Sequence, residues 1–165
     1  MIAVVACATT VLTSCGPPIT GPAESAALGM TVDAAGHPVI VLQNCSASVV
    51  QLELTASSTQ VVFDNEKPPP AVDEIPLTGT ADWRPNQPTP KLNPTDKVTI
   101  RAWSEGHRYF GRRTEFTLAD LKALKPGQVR HDWRPAGTPP SYGASPGTPQ
   151  YRITSLDDFT PDFCP

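Results

Sequence analysis

Asp33-Ala34-Ala35-Gly36-His37-Pro38-Val39-Ile40-Val41-Leu42-Gln43 is the stretch that decides the fold. Gly36, with Pro38 close behind, marks a hairpin turn between strands at 31–33 and 39–43. Val39 to Leu42 are apolar at every position, the pattern of a strand covered on both faces. Outward from there the pattern changes. Val50, Leu52 and Leu54 alternate with Gln51 and Glu53, and Val98, Ile100 and Ala102 alternate with Thr99, Arg101 and Trp103, as in strands with one wet face. Further strand-like runs lie at 61–63, 114–118, 129–133 and 151–154. Thr117, with Asp120 three residues on, predicts the cap of one short helical turn through Leu121. Seven or eight short strands and a single helical turn predict an all-β chain folded as one two-sheet sandwich.

Proline supplies the punctuation. There are 20 prolines in 165 residues, more than twice the average usage of roughly 5%. They cluster at 68–70, 85–94 and 135–149. Proline lacks a backbone donor and is excluded from central strands, so the clusters predict long, stiff loops. The net charge of −3 and a pI near 5.5 leave no overall basic character for gripping nucleic acid.

Residues 2–12 form a short apolar run that closes on Leu12-Thr13-Ser14-Cys15. It falls well short of the roughly 20 residues a membrane span needs, and fits the apolar region of a signal peptide. No Lys or Arg precedes it, so the positive flank expected of such a peptide is missing. A buried strand or helix is the competing reading of the run. Cys-Gly-Pro-Pro is a poor continuation for either. The four residues look like the lipobox of a bacterial lipoprotein, in which small Thr13 and Ser14 admit the peptidase and Leu12 fills an apolar subsite. The expected organisation is therefore a signal peptide at 1–14, a lipidated Cys15 and tether at 15–27, and the sandwich at 28–165. Attachment to the membrane would then run through the lipid anchor alone, on the extracytoplasmic face of the cell membrane.

Once Cys7 is removed and Cys15 acylated, Cys45 and Cys164 remain as an even pair in an oxidising compartment. They are expected to form a disulfide, worth at most roughly 4–5 kcal/mol for so long a loop. Two free buried thiols are the alternative.

Several segments carry a resemblance. The lipobox, Gly36-His37-Pro38-Val39-Ile40-Val41-Leu42-Gln43-Asn44-Cys45, Phe116-Thr117-Leu118-Ala119-Asp120-Leu121, Leu124-Lys125-Pro126-Gly127-Gln128-Val129 and the closing Phe163-Cys164 together resemble small uncharacterised lipoproteins of actinobacteria. The Leu-Lys-Pro-Gly corner is similar to a late-strand connection of fibronectin-type and immunoglobulin-like sandwiches. The resemblance implies an Ig-like sandwich and an envelope location, and no catalytic motif comes with it. The chain departs from the immunoglobulin pattern in having no Tyr after the Pro-Gly corner, where Val129 is nearest.

Three constellations are candidates for function. His107-Arg108-Tyr109-Phe110-Gly111-Arg112-Arg113 reads as a basic, aromatic hairpin tip on an acidic protein; arginines bind phosphate or carboxylate bidentately, and aromatics add anchoring area. A plain solvated turn is the competing reading. Asp82-Trp83-Arg84-Pro85 is echoed by Asp132-Trp133-Arg134-Pro135, so Trp83 and Trp133 would line an aromatic groove if exposed, or plug the core if not. His37, His107 and His131 show no metal-ligand spacing and no nucleophile elbow is present, so no cofactor and no metal is expected. Asn44-Cys45-Ser46 matches a glycosylation sequon only formally.

These readings favour a monomeric, non-enzymatic binding module that engages an envelope polymer or a protein partner and no nucleic acid. An envelope hydrolase with a loop-built site, and a prophage- or host-encoded factor acting in phage exclusion, are the alternatives.

Overall fold

The computed structural model describes residues 23–45, 48–107, 109–133 and 150–159, and within them ten strands and one short helix. The strands are β1 (Ala23–Val32), β2 (Pro38–Asn44), β3 (Val49–Ala56), β4 (Thr59–Asn65), β5 (Val72–Pro76), β6 (Trp83–Pro85), β7 (Val98–Ser104), β8 (Tyr109–Phe116), β9 (Gln128–Trp133) and β10 (Gln150–Ser155); the helix is α1 (Leu118–Leu121). They form two antiparallel sheets of five. One has the order β5-β2-β1-β9-β10 and the other β8-β7-β3-β4-β6. The sheets meet along the start of β1, where Ala23 and Glu24 run parallel to Tyr109 and Phe110 of β8. The chain is thus an all-β sandwich.

Alternate side chains of both sheets meet in the main core. Leu28 and Met30 of β1, Ile40 and Leu42 of β2, Leu52 and Leu54 of β3, Phe63 of β4 and Ile100 of β7 are all buried there. A second cluster lies on the opposite face of the first sheet, where Ala27, Val41 and Val129 pack beneath Phe159, with Leu156 alongside. That cluster accounts for the unbroken apolar run of β2: Ile40 and Leu42 face one core and Val41 the other, so each is fully buried. Gly29 makes the second cluster possible, since a Cβ there would overlap Val129 and come within 3.4 Å of the Phe159 ring.

The β1–β2 hairpin lies where the sequence places it, with Thr31 opposite Val39 and Gly36 at φ 84° in the left-handed region. Its turn is fastened by Asp33, whose carboxylate accepts the backbone N–H groups of Ala35 and His37, each at 2.8 Å. Thr117 and Asp120 form the predicted capping box on α1. Asp120 also lies 3.6 Å from the guanidinium of Arg130 on β9. Arg130 in turn donates to the Glu115 carbonyl at 2.6 Å and lies 3.5 Å over the Tyr151 ring. This buried arginine therefore ties β8, α1 and β10 together at the open side of the sandwich. Partial burial holds the Tyr151 hydroxyl above its ordinary pKa, and the nearby Arg130 charge opposes that rise.

Three expectations are corrected. The domain was expected to begin at 28 after a tether, yet β1 starts at Ala23, and Ala26 and Ala27 are buried. Small residues resemble a linker by composition, but here their size lets the strand lie between two packed faces. The strands β5 and β6 were not anticipated, because both adjoin proline clusters. Each is a sheet edge, where a missing donor breaks no ladder. The strand after the basic run begins at Tyr109 rather than at 114.

Candidate functional site

The sequence that makes β7 a half-wet strand puts Thr99, Arg101 and Trp103 on the outer face of the second sheet. After Ser104 the chain reverses through a 3-10 turn at Glu105–His107, with Gly106 at φ 66°, and returns as β8. Most of the basic run therefore lies in a strand and not at a hairpin tip.

The pairing of β7 with β8 is irregular at an informative place. Ile100 pairs with Thr114, but Ala102 pairs with Gly111. Arg112 and Arg113 thus both stand opposite the single residue Arg101, a β-bulge with two residues facing one. Like charges opposed across strands are destabilising, and here the backbone register sets two arginine positions of β8 across from Arg101. Two carboxylates adjoin them. Glu53 of β3 is the register partner of Arg101, and it accepts a 3.4 Å hydrogen bond from the Trp103 indole. Glu115 lies 3.4 Å from the Arg113 guanidinium. The Arg113 side chain keeps 44% of its surface in solvent, and Arg101 is exposed. Exposed guanidinium groups of this kind can recognise a phosphate or carboxylate through paired N–H donors.

The register also sets where this bulge sits. Ala23 lies beside Tyr109 and Ala26 beside Gly111. The starts of β1 and β8 therefore share one end of the sandwich with the last residues of β2, β4, β7 and β9, namely Asn44, Asn65, Ser104 and Trp133. At the other end are the Asp33–His37 turn, the Ser57–Ser58 turn and α1.

Among the residues singled out from sequence, His107 and Tyr109 are placed by their backbone at this first end, whereas Arg112 and Arg113 stand in the middle of β8 opposite Arg101, with the Arg113 side chain paired to Glu115. Arg108 lies outside the described residues. Arg101 was read from sequence only as the wet side of a strand. Its part in the cluster depends on the bulge, which carries no sequence signal of its own.

Trp83 does not line a groove. It is 1% exposed in the main core and its indole N–H donates to Asp73 at 2.8 Å, so the core-plug reading holds for it. Trp133 ends β9 on the other sheet, which leaves the two halves of the echo on different sheets. The histidines are also dispersed. His37 contacts Asp33 at the far turn, with 3.0 Å between Nδ1 and Oδ2, while His131 is buried with its ring 5.4 Å from that of Phe159. Among the described residues no group of three His, Cys, Asp or Glu side chains is close enough to hold a metal ion. Cys45 follows β2 and is half-buried. Cys7, Cys15 and Cys164 lie outside the described residues, as does the lipobox. No helix among the described residues is long and apolar enough to cross a membrane.

No family model, curated protein or solved structure matches the chain. The site therefore has to be read from its own chemistry.

Proposed function

We propose that the protein is a lipid-anchored binding module of the cell envelope, held by an acylated Cys15 on the outer face of the cytoplasmic membrane. Its contact surface is the β7–β8 hairpin, with His107, Arg108, Tyr109, Arg112 and Arg113 from the basic run and Arg101 from the facing strand. The observation that carries this reading is the bulge, which sets the Arg112–Arg113 end of the basic run opposite the exposed Arg101 on the outer face of the second sheet. The surface suits an anionic partner. Support for the address comes from Leu12-Thr13-Ser14-Cys15 and from the strand that begins eight residues after that cysteine. An exported location also suits the disulfide that we propose between Cys45 and Cys164.

Mass spectrometry of protein purified from its own cells tests the anchor. The expected product begins at Cys15 and carries diacylglyceryl mass. An unprocessed N-terminus without acyl mass overturns the proposed address. For the surface, charge reversal at Arg108, Arg112 and Arg113 is expected to abolish capture of an anionic envelope fraction, and unaltered capture rejects it.

A further inference from the structure

We propose that β10 is a pairing edge for a second copy of this chain, so that two first sheets join into one continuous sheet across a two-fold axis at Ile153. The proposal stands apart from the anchor and the arginine surface, and it replaces the monomer expected from sequence.

The four outermost strands are guarded unequally. An outermost strand offers backbone donors and acceptors to any other strand unless charge, proline, brevity or a covering element blocks it. On the first sheet, β5 carries Asp73 and Glu74 and ends in Pro76. On the second, β6 is three residues long and ends in Pro85. The start of β8 is covered by β1, and near its end the Glu115 carbonyl accepts from Arg130. In contrast, β10 is six residues long, has no proline, carries Arg152 as its one charge, and pairs with β9 alone among the described strands.

The same strand bears the exposed apolar surface. Among the described residues, the large apolar side chains left most exposed are Ile153, at 51%, and Tyr151, at 37%. Two apart in a strand, they share one face. Arg130 already covers one side of the Tyr151 ring, at 3.5 Å from its centroid. Ile153 stands opposite Arg130, yet half of it stays in water.

Strand geometry then selects the occupant and its register. Residues directly opposite each other in an antiparallel pair lie on the same face, so a two-fold axis between two copies of β10 passes through a residue and not between residues. An axis at Arg152 would oppose two arginines directly, which is destabilising. An axis at Ile153 sets the two isoleucines against each other, Tyr151 across from Ser155 of the second copy, and Arg152 across from Thr154 of the second copy. This register buries the exposed isoleucine and keeps the arginines out of direct opposition. A pairing of six residues a side belongs with the small interfaces, below roughly 1,200 Å², that mark transient complexes. The dimer is therefore weak and forms at high concentration.

Sedimentation of the full-length protein from about 1 μM to about 1 mM is expected to show a monomer passing into a dimer. Ile153→Asp should weaken association at least about tenfold, because symmetry counts the change twice and sets two carboxylates face to face. Its unfolding midpoint should stay close to the parent's, since the side chain it replaces is half exposed. A monomer at every concentration overturns the proposal and leaves the edge to a strand of another protein. A dimer that tolerates Ile153→Asp overturns it as well.

Cysteine variants of the full-length protein decide the matter should Ile153→Asp disturb the fold. Opposed positions bring their Cα atoms to about 4.5–5.5 Å, within reach of a disulfide. Position 150 lies across from 156, which separates the two copies of position 150 by about 20 Å. Under mild oxidation, Ile153→Cys should form the intermolecular link between its two 153 positions, mapped by mass spectrometry, at least about tenfold faster than Gln150→Cys links its own. Equal rates, or a faster link at 150, overturn the register and with it the dimer.

Discussion

The two sheets share one core but differ on their outer faces. Behind the first sheet, Ala27, Gly29, Val41 and Val129 lie beneath Phe159, so its central strands β1, β2 and β9 are covered there as well. Behind the second sheet, Glu53, Arg101, Trp103, Arg113 and Glu115 meet solvent or one another. The difference separates two roles. Burial on the first sheet adds stability through apolar area and close packing, whereas the exposed charges on the second add little, and binding is the role proposed for them.

The largest test of this contrast is Phe159→Ala. It empties a fully buried position and is expected to cost about 3–5 kcal/mol in denaturant unfolding. A cost near zero would mean that the second cluster is not a packed core. Gly29→Ala comes next, at about 1–3 kcal/mol, because the added methyl has to displace Val129. On the other sheet, Arg101→Ala is expected to stay within about 0.5 kcal/mol of the parent. Losing an exposed charge removes no packing, and relief from Arg112 and Arg113 offsets the lost attraction to Glu53.

The smallest expected effect lies at the far turn. The backbone N–H of His37, helped by the His37 ring and the N–H of Ala35 and opposed by slight desolvation, holds the Asp33 carboxyl below its ordinary value of 3.8. A lowered carboxyl value stabilises the fold at neutral pH, and that contribution fades as pH falls through the folded-state value. The stability difference between the parent and Asp33→Ala should therefore narrow in acid titrations below about pH 4. A gap that stays constant with pH would show that the ionised carboxylate is not what fastens the turn.

Much of the sandwich was legible in the sequence, and the reasons are local. Alternation in β3 and β7 reports one buried face directly, and the unbroken run in β2 reports two. The capping box at Thr117 and Asp120 was readable because both partners lie within one turn. What escaped depended on distant partners. The small residues that begin β1 read as a tether because nothing in their own composition announces Phe159, more than 130 positions away in the chain. Strands β5 and β6 were hidden by their prolines, which only an edge position tolerates. The candidate site was half legible: the basic run stands out by composition, but its meeting with Arg101 depends on a register shift of one residue. Trp83 misled because its surroundings in sequence, Asp82 and Arg84, are polar while its place in the fold is not.

The most direct test measures two properties of one variant, the protein with Arg101, Arg112 and Arg113 all changed to Ala. The account predicts an unfolding midpoint close to the parent's together with loss of capture of an anionic envelope fraction. A variant that unfolds much more readily, or one that captures that fraction as firmly as the parent, would contradict it.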